Sequence, residues 1–166
     1  MDFEPEPFFR YAKEALKGIM NLGFSRIYVL QHHQGLEGLQ SLCLRRAAAE
    51  LIRDTAKMWG AGWGRVPPDT LPHPRIFDWI KVAGPDSYSH YPENSSERMP
   101  VGHGGRGETQ LIMAAMPETV RLEALASMPK PTPQWLNDAH EATAGDGRRW
   151  IEFCVEGWVQ ELNHRE

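Results

Sequence analysis

The chain has 166 residues, enough for one domain, and its 18 Lys and Arg against 22 Asp and Glu give a net charge of −4. Coating of nucleic acid is excluded, because counterion release needs clustered basic residues and the longest basic runs are Arg45-Arg46 and Arg148-Arg149. No apolar run approaches the roughly 20 residues that span a bilayer, and the acidic, proline-broken start is neither a secretory signal nor a transit peptide. A cytoplasmic protein with no membrane or nucleic-acid partner is the expectation. Cys43 and Cys154 lie in apolar helical patterns, where a free thiol behaves as a small buried hydrophobe and no disulfide framework is indicated.

Proline organises the chain. None lies between Phe8 and Val66 or after Pro133, and seven lie from Pro67 to Pro100, so two regular ends flank a Pro/Gly-rich loop region, residues 60–102, that holds one strand. The whole of 1–166 reads as a single α/β domain. In chain order, Phe8, Phe9, Ala12, Ala15, Leu16, Ile19 and Met20 form one face of an amphipathic helix, which Gly23 ends. Residues 26–30 are short, β-branched and nearly all apolar, the pattern of a buried parallel strand. The turn from Gln31 to Gly35 leads into a second helix through Leu36, Leu39, Leu42, Cys43, Ala47, Leu51 and Ile52. Residues 75–82 predict a second strand. A glycine cluster at 102–107 opens a short helix that stops before Pro117, and a last helix over about 143–162 turns Trp150, Ile151, Cys154, Val155, Trp158, Val159 and Leu162 toward the core.

Ligands of open α/β sheets bind at the carboxyl ends of strands, so the turn carrying His32 and His33 is the first candidate site. The alternative is a pair of hydrogen-bonded surface histidines. His103 and Glu108 flank the glycine bend, where an imidazole and a carboxylate can meet around a divalent cation. Against that stands a plain glycine loop with Glu108 well placed in a helix's first turn. A phosphate cradle fails, because no Lys-Ser or Lys-Thr follows the glycines and no clear strand precedes them. Residues 88–94 line a pocket or subunit contact, or form a solvated loop packed by its two tyrosines.

Three blocks in order carry a family resemblance. Residues 24–35 look like a strand ending in an Asn-Gly-His-Gly-Gly-Asn type of turn. Residues 103–110, His-Gly-Gly-Arg-Gly-Glu-Thr-Gln, followed by Leu111-Ile112-Met113 and Pro117-Glu118-Thr119-Val120, look like a His-Ala-Gly-x-x-Glu-Thr-Ser block with its Pro-x-x-Val stop, and residues 142–162 look like a closing helix. In these the chain resembles the creatininase (creatinine amidohydrolase) family from about Phe8 onward. The resemblance implies an α/β/α sandwich with a parallel sheet, assembly into higher oligomers, and a pair of divalent metal ions that hydrolyse amide C–N bonds. It places His33 and Glu108 on metal ligands and His103 on a catalytic histidine of the substrate site, with His32, Gln34 and Arg106 as neighbouring substrate contacts. In that chemistry a metal-bound water attacks the carbonyl and an imidazole delivers a proton to the departing nitrogen.

The sequence departs from the family pattern in ways that shape the functional expectation. The N-terminal strand segment with its Glu-x-His-Gly-x-His-Leu-Pro motif has no counterpart, Gly35 stands where some members carry an acidic ligand, and Pro100 stands at an aspartate of creatininase. Two metal ligands remain where a dinuclear site needs about six. The resemblance thus implies a subunit of a heteromeric metal-dependent hydrolase, with zinc or manganese bound in the assembled complex and weakly or not at all by the chain alone. Another creatininase-like subunit would supply the missing ligands, and the substrate would be a small amide. The alternative is a non-catalytic scaffold for an active paralogue; a stand-alone metallohydrolase ranks third.

Overall fold

The computed structural model describes residues 4–33, 35–62, 65–91, 98 and 103–164. They fall into two compact units, divided between Pro85 and Asp86.

In the first unit, helix α1 (Pro5–Asn21) begins with proline in its first turn, where the missing N–H has no helical partner to lose, and with the acidic Glu6 near the positive helix end. Its buried residues Phe9, Ala12 and Leu16 keep one helical face, and Gly23, at φ +93°, turns the chain away. Strand β1 (Ile27–Leu30) pairs in parallel with β2 (Ile80–Ala83), with Ile27 opposite Ile80 and Leu30 opposite Ala83. Between them, helix α2 (Leu39–Ala56) turns Cys43, Ala47, Ala48 and Leu51 onto α1 and the sheet. Small residues on this face let two helix backbones come close, so Phe9, Leu16, Ile27 and Ile80 fill one continuous core.

The second strand is shorter than the pattern over residues 75–82 predicts. Arg75 adopts the left-handed conformation, at φ +59°, and opens a single 3₁₀ turn, Ile76–Asp78. Ile76 is completely buried from that turn. Its apolar character therefore serves burial within that turn, while the paired strand starts at Ile80, with the Ile27 N–H donating to the Trp79 carbonyl at 2.7 Å.

A charged rim covers the α1–α2 seam. Lys13 Nζ lies 2.9 Å from Glu50 and 3.3 Å from Asp54, and Arg46 reaches Glu6 at 2.9 Å and Glu50 at 3.1 Å. The Arg46 guanidinium lies 3.8 Å over the Phe9 ring, so the rim also shields core apolar surface. Hydrogen bonds from Lys13, then Arg46, hold the Glu50 carboxyl below the ordinary glutamate range, and those from Arg46 and Arg10 do the same for Glu6.

In the second unit, helix α3 (Arg106–Ala115) packs along helix α4 (Ala144–Asn163). Thr143 caps α4, its hydroxyl oxygen accepting from the Asp146 N–H at 3.0 Å. A Cβ on Gly147 would collide with the Gln110 carbonyl and with Ala114, and a Cβ on Gly157 would collide with the Tyr88 carbonyl. Glycine at both positions thus sets how closely α3 and the 87–90 turn approach α4. Trp150 is buried against Tyr91 and Phe153, with ring centroids 5.9 and 5.7 Å away. Part of the predicted α4 core face differs: Ile151, Val155, Val159 and Leu162 are 36–54% exposed, because the close approach at Gly147 and Gly157 seats the neighbouring backbone on the face that carries Trp150 and Cys154.

Two outcomes follow from these contacts. Gly147→Ala should lower stability by about 1–3 kcal/mol through overpacking, whereas Gly145→Ala, with nothing nearer than Thr143 Oγ1 at 3.8 Å, should change it by less than about 1 kcal/mol; urea denaturation reads both. The lowered carboxyls of Glu6, Glu50 and Asp54 contribute stability that is full above their ordinary pKa values and is lost as pH falls through the folded ones. Glu50→Gln should therefore flatten the fall in melting temperature between about pH 5 and pH 2 and leave the neutral-pH slope unchanged.

Candidate active site

The predicted site residues come from two places, one in each unit. In the first unit, the turn leaving β1 stays in the ladder for one more residue, the Gln31 N–H donating to the Ala83 carbonyl at 2.8 Å. The Gln31 side chain is buried, and neither its Oε1 nor its Nε2 has a hydrogen-bond partner. His32 and His33 are both exposed, and Gln34 lies outside the described residues. Gly35, at φ +62°, makes the bend, and its carbonyl accepts from the buried Ser41 hydroxyl at 2.6 Å, which ties the turn to the first turn of α2.

In the second unit, Gly104, at φ +64°, makes the bend ahead of α3. The Gly104 N–H donates to Glu108 Oε2 at 2.7 Å, and the Thr109 hydroxyl donates to the Gly104 carbonyl at 3.0 Å. This is a close variant of a capping box, in which a carboxylate in the first turn reaches back to a preceding backbone donor. Asp138, from a segment 32 residues further on, accepts from the Arg106 N–H at 3.0 Å and so satisfies an orphan donor at the helix start. Gly105 is obligatory here, since a Cβ would lie 2.6 Å from the Trp135 carbonyl and 2.8 Å from Asp138 Oδ1. The exposed His103 imidazole meets Trp135 edge-on, with centroids 6.4 Å apart and the rings inclined at 63°.

The Arg106 guanidinium lies 3.6 Å from Glu141 and 4.0 Å from Asp146. Its charge is thereby drawn into bracing the α3–α4 end of the unit. A cavity of about 290 Å³ opens beside Glu108, lined also by Thr109, Arg121, Ile112, Leu122 and Leu125.

Chemically, the arrangement offers a carboxylate with one oxygen fixed by a backbone amide, the kind of hydrogen bond that orients a metal-ligating carboxylate. It also offers an exposed imidazole able to exchange a proton. Among the described residues no group of three or more His, Cys, Asp or Glu side chains is placed to hold a metal ion. The described residues do not by themselves make a metal centre. Burial pushes the Cys154 thiol pKa up, and the Ser89 hydroxyl donates to its Sγ at 3.2 Å. Tyr88 and Tyr91 pack on Trp158 and Trp150, and residues 87–90 also line a cavity of about 410 Å³ with Gly157, Gln160, Glu161 and His164, while Pro92 to Asn94 lie outside the described residues.

Sequence reasoning missed Trp135 and Asp138, and it placed Gln31 in the candidate turn without foreseeing its burial. No local pattern marks them, because each acts through a contact distant in sequence or through an environment that only the fold creates. Asp138→Ala should cost about 0.5–2 kcal/mol of unfolding free energy, the usual value of a helix-start acceptor, and Asp138→Asn should recover most of it because its amide oxygen accepts the same bond. Chemical denaturation of the two variants distinguishes this role from simple loss of a surface charge.

The comparisons with known proteins agree on the fold. A type II mutant creatininase aligns with a TM-score of 0.66 at 16% identity, covering 98% of this chain and 65% of that one. A creatinine amidohydrolase (creatininase) crystal structure aligns with a TM-score of 0.65 at 18% identity, covering 98% and 64%. The chain thus spans just under two-thirds of the length of these structures. No curated protein matches. The family model described as creatininase, creatinine amidohydrolase, matches residues 1–162, and the chain belongs to the creatininase family, with its α/β fold built here around a small parallel sheet.

Proposed function

We propose that this chain is a subunit of a heteromeric, metal-dependent creatininase-like hydrolase that cleaves an amide C–N bond of a small molecule, with a partner chain supplying the remaining metal ligands. Membership in the creatininase family supports amidohydrolase chemistry in general. One observation carries the reading to this chain's residues: His103 and Glu108 flank a single bend whose geometry is fixed by the Gly104 N–H on Glu108, the Thr109 hydroxyl on the Gly104 carbonyl, and Asp138 on Arg106. Catalysis by positioned groups needs that kind of rigidity around an imidazole and a carboxylate.

In this proposal His33 and Glu108 are the chain's two metal ligands, for zinc or manganese, and the other donors come from the partner. On Glu108 the Gly104 N–H engages Oε2, and a second oxygen remains on the same carboxylate. His103 gives a proton to the departing nitrogen, while His32 and Gln34 flank His33 as substrate contacts. Arg106 stands at the edge of the site, with its guanidinium held by Glu141 and Asp146.

A second reading has a specific observation behind it. The same bonds that fix the bend are ordinary helix-start stabilisation, and a scaffolding subunit would keep them for folding alone. Co-purification with a neighbouring-gene product carrying a Glu-x-His-Gly-x-His motif supplies the complex in which to decide. There Glu108→Gln and His33→Asn should lower metal content and turnover together, and His103→Asn should spare metal but slow turnover by about 10²–10⁴-fold, the usual worth of acid–base help. The isolated chain should bind zinc or manganese weakly or not at all, as elemental analysis after dialysis reads directly. Turnover and metal content unchanged in all three variants would leave the scaffold.

A further inference from the structure

The polar turn at 87–90 has no part in the proposed hydrolase, yet it is built firmly onto the end of α4. The Tyr88 carbonyl occupies the space that a Cβ on Gly157 would need, and the Tyr88 ring meets Trp158 edge-on, with centroids 4.9 Å apart. The Ser89 hydroxyl donates to Cys154 Sγ at 3.2 Å, and the His90 N–H donates to the Phe153 carbonyl at 3.4 Å. Residues 87–90 are thereby a fixed wall of the cavity of about 410 Å³, which Gly157, Gln160, Glu161 and His164 complete from the helix. That volume falls in the range of small-molecule sites.

The lining selects a charge. Among the described residues it holds one carboxylate, Glu161, and no Lys or Arg, and no aliphatic side chain faces the cavity. It also lies at the carboxyl end of a 20-residue helix with no basic residue in its last turn. The last carbonyls of such a helix lack intrahelical donors and carry partial negative charge. The serine hydroxyls, the Gln160 amide and neutral imidazoles add further acceptors.

We infer that this cavity is a binding site for a small organic cation, a hydroxyl-bearing primary amine whose ammonium meets Glu161 and the helix end and whose hydroxyls meet Ser87, His90 and Gln160. A bare metal ion fits less well, because among the described residues no three His, Cys, Asp or Glu side chains are placed to hold one. A neutral polyol would leave the carboxylate and the helix end uncompensated. The site shares no residue with the proposed metal ligands or substrate contacts, so it stands or falls apart from the hydrolase reading.

The test uses the full chain at about pH 7.5, where an aliphatic amine is protonated and a glutamate ionised. Two probes share length and hydroxyl pattern: glucamine carries a primary ammonium, and sorbitol carries a hydroxyl in its place. NMR titration follows the His90 and His164 ring protons, and calorimetry gives the affinities. Glucamine should shift both histidines along one saturable curve, and sorbitol should bind at least tenfold more weakly. Glu161→Gln should weaken glucamine binding about tenfold, the low end for a hydrogen bond to a charged group, and leave sorbitol within twofold. Gln160→Lys, at an exposed position, sets a fixed positive charge in the cavity and should abolish glucamine binding with the far-UV circular dichroism unchanged. Glucamine affinity unchanged in either variant, sorbitol bound as tightly as glucamine, or no saturable shift at the two histidines would each overturn the inference.

Discussion

At Gly147 the backbone of one helix meets the backbone of another. The Gln110 carbonyl occupies the volume that a side chain at 147 would need, so α3 and α4 approach more closely than any substituted residue would allow. The consequence runs outward along α3. With its middle turn fixed at Gln110, its start at Arg106 is held within reach of Asp138 and Asp146, and the Gly104 bend is set where Glu108 and Thr109 close it. A loop is precise only when the element that carries it is rigid, and here the absence of a side chain supplies the rigidity.

Packing this tight has a polar cost. Among the described residues, both amide atoms of Gln110 are buried without a hydrogen-bond partner, as are those of Gln31 at the exit of β1. An unpaired buried amide opposes folding by a few kcal/mol on typical values. The remaining interactions must offset it, and in the second unit they do so through the Trp150 cluster, the Thr143 cap and the braced helix start. The first unit works differently. There Ala12, Ala47 and Ala48 give close packing of α1 on α2, and the Lys13, Arg46, Glu6 and Glu50 rim covers the seam with charges that remain solvated. Exposed pairs of this kind contribute little each at neutral pH, so the apolar core beneath them carries the unit.

The two segments that carry proposed site residues, one in each unit, show different kinds of order. The His33 turn is tied at one end by the parallel ladder and at the other by Ser41 on the Gly35 carbonyl, leaving both histidines at the surface. The His103 bend is closed on itself and clasped by residues 135–138. A surface imidazole on a fixed turn suits ligation that a partner completes, and an imidazole on a clasped loop suits a group that must meet substrate at a set distance.

The sequence by itself determined the elements whose signals are local. The apolar face of α1, the β-branched run of β1, the glycine exit at Gly23 and the threonine start of α4 all depend on residues within a few positions of one another, and they are found close to where the pattern puts them. So does the bend at Gly104 followed by a carboxylate in the first turn. The family likeness was legible for the same reason, since each of its blocks is a strand, turn or helix start with its chemistry built in. What only the tertiary structure decided depends on contacts distant in sequence. Ile76 reads as strand but is buried from a 3₁₀ turn, because Arg75 turns the backbone left-handed just before it. Ile151 and Val155 read as core on a helix whose close neighbours select the glycine face instead. Asp138 and Trp135 carry no local mark at all, and gain their roles from meeting a loop some 30 residues earlier in the chain. Periodicity reports which side chains could be buried together; which surface the backbone presents to a neighbour is settled by shape, and shape is a property of the folded whole.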